Sequence, residues 1–215
     1  MKTGEAIILA NGEFPKKGGV AWRLLAAAKR VVACDGAADA YRRRFGKWPD
    51  VVVGDLDSVV ARHVPCRVVR DADQETNDLE KAMAFCAKAG WRDPVIVGAT
   101  GKREDHTLGN VFRALACGVE IVTDHGRFVP VCGRKAFRTG EGAGISVFAP
   151  DPQTKMTSRG LQWPLEGVKF RNLYCATLNR ATGKSFTVTS DRPVMVYLET
   201  PAGAVRHDLK TGEAR

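Results

Sequence analysis

The sequence lacks the features of membrane-spanning, secreted and cysteine-based metal proteins. Its 215 residues contain no apolar run of eighteen or more, which excludes a membrane-spanning helix. The first apolar run, Ala6–Ala10, is too short for the hydrophobic region of a signal peptide, so we expect a cytoplasmic protein. The six cysteines form no CxxC pair, and none stands at metal-ligand spacing from a histidine. We expect all six to be small buried hydrophobic residues.

Aromatic residues and clustered positive charge are also scarce. Aromatics make up 7% of the chain, which leaves little for a stacking platform that binds single strands of nucleic acid. The net charge of +9 comes from 33 basic and 24 acidic residues, and the basic ones are scattered except for Arg42–Arg44. Such a charge suits either nucleic acid or a phosphate-rich small substrate, and the scatter favours the substrate.

Several well-known catalytic motifs are absent. No GxGxxG follows a strand-like run, and neither GxSxG nor HExxH occurs. Gly183-Lys184-Ser185 resembles the end of a phosphate-binding P-loop, but the required earlier glycine is Leu178 and the following residues are strand-like. The chain is therefore not expected to be a dinucleotide-binding, P-loop, serine-hydrolase or HExxH-metalloprotease protein.

Strand-like and helix-like segments alternate in the first half of the chain. This alternation predicts an N-terminal α/β domain with a parallel sheet, which we assign to residues 1–130. The predicted strands are Ala6–Ala10, Val31–Cys34, Val51–Val53, Arg67–Val69, Val95–Val97 and Glu120–Thr123. The predicted helices are Val20–Lys29, Ala37–Phe45, Asp78–Ala89 and His106–Cys117.

Helical periodicity disappears in the second half, where short alternating segments are separated by Gly and Pro. This pattern predicts a small antiparallel β domain, either a sandwich or a barrel, and we expect an all-β antiparallel sandwich as the C-terminal domain, residues 131–215. The predicted strands are Ile145–Ala149, Val168–Tyr174, Ser185–Thr189, Val194–Glu199 and Ala204–Leu209.

Aspartates follow the strands of the first half. Asp55 and Asp57 come directly after three valines and a glycine, Asp78 opens a helix, and Asp105 follows another strand. Ligands of open α/β sheets bind at the carboxyl ends of the strands, and carboxylates gathered there need a cation between them. Oxygen ligands beside phosphate favour Mg²⁺. Any one of these aspartates is better explained as a turn residue or helix cap, but the four together favour the metal site.

A glycine-bearing loop, Gly98–Lys102, follows the strand Val95–Val97. Its backbone amides, together with Arg103, could hold phosphate oxygens. The alternative interpretation is an ordinary solvated basic turn.

Four separate blocks of this sequence, in order, resemble the thiamine pyrophosphokinase family. The blocks are Asp35–Ala38, Val53–Ser58, Asp73–Ala82 and Gly98–Asn110. In the second half, Gly160–Leu165 resembles the family's GLKW-type segment, and Asn179 resembles the Asn of its late Ser-Asn pair.

The resemblance implies an N-terminal α/β domain, a C-terminal β-sandwich and a homodimer. It implies transfer of a pyrophosphoryl group from ATP to the hydroxyl of thiamine, giving thiamine diphosphate and AMP. By this resemblance Asp55, Asp57 and Asp78 hold Mg²⁺ and act in catalysis with Asp105, while Trp163 stacks on thiamine. Asn179 lines the same thiamine pocket. Further contacts to nucleotide or phosphate are implied for Asp35, Gly36, Gln74, Thr100, Gly101, Arg103 and His106.

The sequence departs from the family pattern at three positions. Asn77 stands where Thr is frequent, Lys102 where a second Gly is common, and Leu178 where Ser is frequent. A pterin or pyrimidine alcohol remains an alternative acceptor. The alternative functions are a Mg²⁺-dependent nucleotide or phosphoester hydrolase and a basic nucleic-acid-binding module. We expect ATP and thiamine as partners, and neither nucleic acid nor membrane.

Overall fold

The computed structural model describes residues 6–55, 64–70 and 75–200. The chain divides into two compact units. The N-terminal unit comprises Met1–Arg113 and Ile121–Asp124, and the C-terminal unit comprises Ala114–Glu120 and His125–Arg215. Within the described ranges, no helix is both long enough and apolar enough to cross a membrane.

The N-terminal unit contains a parallel sheet with connecting helices. Its strands lie in the order β6-β5-β1-β2-β3-β4, and the registered pairs β5–β1, β1–β2, β2–β3 and β3–β4 are all parallel. The strands are β1 Ile7–Leu9, β2 Val31–Cys34, β3 Val51–Gly54, β4 Arg67–Arg70, β5 Val95–Val97 and β6 Glu120–Val122. The helices are α1 Val20–Ala26, α2 Ala38–Phe45, α3 Asp78–Lys88 and α4 Glu104–Cys117, with a 3₁₀ turn at Asp35–Ala37. This confirms the predicted α/β fold.

The central strands are buried throughout, as expected for a parallel sheet covered on both faces. Every residue of β1, β2, β3 and β5 is buried, and Ile8, Val32 and Ile96 are wholly inaccessible. Helix α3 begins at a capping box, in which the Glu80 amide donates to Asn77 Oδ1 at 2.9 Å and the Asn77 amide donates to Glu80 Oε2 at 3.1 Å. The predicted start of this helix is thereby confirmed.

The C-terminal unit is antiparallel. Its strands are β7 Gly126–Arg138, β8 Gly144–Phe148, β9 Met156–Arg159, β10 Ala176–Arg180 and β11 Ser185–Glu199. They pair in the order β10-β8-β11-β7, with β9 also on β11. A register shift between Ser190 and Val194 divides β11, so that its first part pairs with β9 and its last part with β8. This change of partner at a bulge is typical of strands that turn between the layers of a sandwich.

Three strand predictions of the second half need correction. Val168–Tyr174 is not a strand, because Asn172 Oδ1 accepts a hydrogen bond from the Tyr174 amide and so stabilises a turn. The two segments predicted around Asp191 form one strand, β11. Strands β7, β9 and β10 were missed, and the segment 204–209 lies outside the described residues.

The prediction that all six cysteines are buried is wrong for half of them. Cys34 and Cys86 are buried and Cys66 is half-buried, but Cys117, Cys132 and Cys175 are exposed. All six are free thiols. The three exposed cysteines lie at the end of α4, on β7 and just before β10, where alternation or a helix end turns them towards solvent.

Candidate active site

The carboxyl ends of four parallel strands meet at one edge of the N-terminal sheet. Leu9 of β1 is in register with Ala33 of β2 and Val97 of β5, and Cys34 of β2 is in register with Val53 of β3. Neighbouring strands lie about 4.8 Å apart. The residues that follow these strands therefore line one short edge, and these are Asn11, Asp35, Asp55 and Thr100.

Asp35 and Asp78 both lie against Gly54, the last residue of β3. Gly54 has φ +151°, and a Cβ added there would lie 2.6 Å from Asp35 Cβ and 3.2 Å from Asp78 Oδ1. Glycine is therefore required at this position, because any side chain would displace both aspartates. Burial, and after it the negative charge of Asp78, raises the pKa of the Cys34 thiol at the end of β2. Asp35 itself is 1% exposed.

The oxygen donors at this edge suit a magnesium ion. Mg²⁺ is commonly held by one or two carboxylates, with water and substrate phosphates completing its shell. Within the described ranges, no group of three or more His, Cys, Asp or Glu side chains is arranged to hold a metal. Asp55 is exposed one residue beyond Gly54, and Asp57 lies outside the described residues. Asp78, whose Oδ1 lies beside Gly54, and Asp55, one residue beyond that glycine, are the described carboxylates that could share an ion with a phosphate chain.

The loops after β1 and β5 are joined by backbone hydrogen bonds. The Gly12 amide donates to the Gly98 carbonyl at 2.7 Å, and the Glu13 amide donates to the Thr100 carbonyl at 2.8 Å. A Cβ on Gly101 would lie 2.6 Å from Glu13 Cβ, so the two loops are closely packed. Sequence reasoning missed the β1 loop, although an Asn-Gly pair directly after a buried strand is a recognisable turn signal.

Asn11 connects this pair of loops to the loop after β2. A Cβ on Gly36 would overlap the Asn11 side-chain amide, so Gly36 leaves room for it. Lys102 Nζ donates to the Asn11 carbonyl at 3.1 Å and to Asn11 Oδ1 at 3.0 Å. The loops that follow β1, β2 and β5 are thus held together through one asparagine.

Arg103 and Asp105 form an exposed bidentate ion pair at the start of α4. Arg103 Nε donates to Asp105 Oδ1 at 3.1 Å, and its terminal nitrogen donates to Oδ2 at 2.6 Å. The His106 amide also donates to Oδ1, at 2.9 Å. The hydrogen bonds from Arg103 lower the pKa of Asp105 to about 2, so the pair remains charged in neutral solution. Asp105 thus fixes the direction of the guanidinium and does not form a three-ligand group with Asp55 and Asp78.

The C-terminal unit holds one tryptophan with its ring exposed and its backbone fixed. The Trp163 amide donates to Asn179 Oδ1 at 3.2 Å, and Asn179 Nδ2 donates to the Trp163 carbonyl at 2.7 Å. Asn179 is 3% exposed, whereas Trp163 is 53% exposed. The two residues that the family resemblance places in one pocket are therefore in contact, and the Asn179 side-chain amide is hydrogen-bonded to the Trp163 backbone.

Leu178 precedes Asn179 in an unusual backbone conformation. It has φ +60° and is 83% exposed, at a register shift between Ala176 and Asn179. Its amide donates to Ser146 Oγ at 3.2 Å. An exposed leucine in the left-handed region is unfavourable, and such positions concentrate at binding sites.

The remaining site predictions are placed as follows. Thr100 is half-buried, while Gly101 and His106 are exposed. Gln74, like Asp57, lies outside the described residues.

Comparison with known proteins identifies related sequences for both units. Residues 21–122 match the family model for the thiamin pyrophosphokinase catalytic domain, and residues 126–197 match the model for the thiamin pyrophosphokinase substrate-binding domain. The chain is 32% identical over 114 residues to thiamin pyrophosphokinase 1 of Caenorhabditis elegans. That match covers 48% of this chain and 47% of the relative, so it spans about half the length of that protein.

Solved structures share the fold at lower identity. The thiamin pyrophosphokinase of Geobacillus thermodenitrificans superposes with a TM-score of 0.71 at 21% identity, covering 93% of this chain and 99% of that one. The yeast enzyme superposes with a TM-score of 0.71 at 11% identity, covering 93% and 87%. A thiamin pyrophosphokinase family protein of Enterococcus faecalis gives a TM-score of 0.73 at 14% identity, covering 92% and 99%.

Proposed function

We propose that this chain, which belongs to the thiamin pyrophosphokinase family, transfers the pyrophosphoryl group of ATP to the hydroxyl of thiamine, giving thiamine diphosphate and AMP. The observation that carries the proposal is the placement of Asp35 and Asp78 against the bare backbone of Gly54, at the edge where parallel strands end. Attack of an alcohol on phosphorus needs positioning and charge neutralisation more than a covalent nucleophile. Carboxylates at this edge suit that task.

We assign the nucleotide to the N-terminal unit. Asp55, Asp57 and Asp78 would hold Mg²⁺, which would neutralise charge on the phosphates and fix them for in-line attack. Asp35, Gly36, Gln74 and His106 are proposed to line the same nucleotide site.

The loop after β5 is proposed to hold the phosphate chain. The amides of the Thr100–Gly101 loop would donate to phosphate oxygens, and Arg103 would approach them in the direction that Asp105 sets. A guanidinium whose orientation is already fixed loses less rotational freedom when it binds phosphate.

The acceptor is assigned to the C-terminal unit. Thiamine carries a cationic thiazolium, which suits the exposed face of Trp163 through cation–π attraction. Asn179 keeps the backbone of that tryptophan in place. The proton of the acceptor hydroxyl would pass to Asp78 or to solvent.

We propose the following for the whole protein. Residues 1–130 form the nucleotide- and magnesium-binding domain, and residues 131–215 form the thiamine-binding and dimerisation domain. The enzyme acts as a cytoplasmic homodimer and does not bind nucleic acid. Light scattering of the purified protein tests whether it is a dimer. A filter-binding titration with nucleic acid at two salt concentrations tests whether it binds nucleic acid, because such binding falls steeply with salt.

The direct test is product analysis of the purified protein with thiamine, ATP and Mg²⁺. We expect AMP and thiamine diphosphate in equal amounts, and neither product when thiamine or Mg²⁺ is left out. ADP as the nucleotide product would contradict the proposal. Nucleotide turnover that is unchanged by thiamine would identify a hydrolase that uses water as acceptor.

A further inference from the structure

We propose that Lys102 is a phosphate-binding residue of the nucleotide site, a role that rests on the proposed function. Its ammonium is hydrogen-bonded to Asn11 in the loop after β1, whereas Asp35 follows the neighbouring strand β2 and Asp78 lies against Gly54 at the end of β3.

Lys102 carries a side chain at a backbone position that favours glycine. Lys102 has φ +59°, in the left-handed region that costs a side-chain-bearing residue free energy. Glycine would adopt this turn at no steric cost, and a glycine here would also allow the backbone to approach a ligand closely. The turn geometry alone therefore does not favour a lysine at this position.

The ammonium is held by neutral partners. Both of its hydrogen bonds go to oxygens of Asn11, the backbone carbonyl and Oδ1. A lysine ammonium has three N–H donors, so one remains available for a ligand. Lys102 forms no salt bridge within the described part of the chain, whereas Arg103 beside it is paired with Asp105. Lys102 is therefore in no described ion pair, and the carboxylate of Glu13 lies beside the preceding residue, Gly101.

A series of contacts connects this cation to the carboxylates. Asn11, which holds Lys102, also lies against Gly36, the neighbour of Asp35. Asp35 lies against Gly54, which in turn adjoins Asp78. From the loop after β5 towards the end of β3, the groups are therefore the Lys102 ammonium, the neutral Asn11 amide, and the carboxylates of Asp35 and Asp78, with Glu13 Oε2 beside Gly101 on the lysine side. A metal-bound polyphosphate matches this order, because its metal end needs carboxylates and its free phosphate oxygens need a cation.

The test measures nucleotide binding without turnover. The dissociation constant of a non-hydrolysable ATP analogue with Mg²⁺ is measured by calorimetry for the parent protein and for Lys102→Met, Lys102→Arg and Lys102→Gly. We expect the Met and Gly variants to bind about tenfold more weakly, the loss typical of a hydrogen bond to a charged group. The Arg variant, which keeps the charge, should stay within about threefold of the parent. Lys88→Met, at the exposed C-terminal end of α3, is the matched control and should bind as the parent does.

Two results would overturn the assignment. One is analogue binding by Lys102→Met at the parent's affinity. The other is equal weakening of analogue and thiamine binding together with a lowered melting temperature, which would show that Lys102 only braces the loops. Failure of the Lys102 assignment can be distinguished from failure of the proposed function. Weakened analogue binding without any thiamine diphosphate formation would retain the Lys102 site and refute the pyrophosphokinase, whereas turnover with unchanged analogue binding would do the reverse.

Discussion

The candidate sites of the two units are built in opposite ways. In the N-terminal unit, charged groups lie near strand ends; Gly54 leaves room for Asp35 and Asp78, and Gly36 leaves room for the Asn11 amide. In the C-terminal unit, the exposed Trp163 has its backbone held by a buried neutral amide, that of Asn179 on β10. The first arrangement suits phosphates and a metal ion. The second suits a flat cationic ring.

We expect the first site to stabilise the transition state and the second to contribute to the binding of the acceptor. Charge neutralisation at the strand ends should act mainly on the transition state, because charge is redistributed there during transfer. Stacking on Trp163 should act mainly on binding, because the ring system of the acceptor does not change during the reaction. Substitutions in the N-terminal unit are thus expected to lower kcat, and those around Trp163 to raise KM for thiamine.

The largest effect is expected for Asp78→Asn. Removing this carboxylate should lower kcat by about a hundredfold to a thousandfold, in line with the loss of one group that stabilises transition-state charge. Asp57→Asn is expected to behave in the same way. Steady-state kinetics with both substrates measure the effect.

The control for Asp78→Asn is Asp93→Asn, the same chemical change between α3 and β5, at the amino end of the sheet. Asp93 has φ +48°, a conformation that asparagine tolerates well, so this variant should keep parent activity. Turnover of Asp78→Asn at the parent rate would show that this carboxylate is structural. The expectation that substitutions in the N-terminal unit act mainly on kcat would then be wrong.

Trp163→Ala is expected to raise KM for thiamine about tenfold, since a desolvated cation–π contact contributes about 1–2 kcal/mol. KM for ATP should remain within about twofold, and Trp163→Phe should recover part of the loss because it keeps an aromatic face. An equal rise in both Michaelis constants would place Trp163 outside the acceptor site.

Asn179→Ala should destabilise the protein by about 1–3 kcal/mol, because the amide and carbonyl of Trp163 lose buried partners. Urea unfolding followed by circular dichroism measures this. The neighbouring variant Leu178→Gly should not destabilise, because the side chain is exposed and glycine relieves the left-handed conformation. Equal stability of Asn179→Ala and the parent would remove the anchoring role of the asparagine.

The last prediction concerns the reactivity of the cysteine thiols. It compares the two units in the absence of substrate. Burial raises the pKa of the Cys86 thiol to about 11, and that of Cys34 is raised further. Below these pKa values the thiols stay protonated, so at pH 8 neither should react with a thiol reagent in the native protein. Cys117, Cys132 and Cys175 are exposed and should react within minutes. Mass spectrometry of the labelled peptides distinguishes them, and rapid labelling of Cys34 would contradict the described core.

The sequence predicted the N-terminal unit well because its signals are local. Val51–Val53 is a short, wholly apolar run, and Asn77 with Glu80 is a capping box that can be read directly. The residue types of the site followed from aspartates placed after such strands. The role of Gly54 could not be predicted, because the contacts that require a glycine come from Asp35 and Asp78, which are distant in sequence.

The C-terminal unit was harder to predict, because its strands are also placed by contacts between residues that are distant in sequence. Strand β7 contains Pro130, Gly133 and the adjacent basic residues Arg134 and Lys135, and its place is set by pairing with β11 about sixty residues later and not by local pattern. The family resemblance placed Trp163 and Asn179 in one pocket. Only the structure shows that the Asn179 side-chain amide forms hydrogen bonds with the Trp163 backbone.

The most direct test of the account follows the fate of the β-phosphorus of ATP. The purified protein is incubated with thiamine, Mg²⁺ and ATP radiolabelled at the β-position, and the products are separated by chromatography. If strand-end carboxylates direct attack at the middle phosphorus, the label will appear in thiamine diphosphate and the AMP will be unlabelled. Label retained in ADP, or released as free pyrophosphate, would contradict the account.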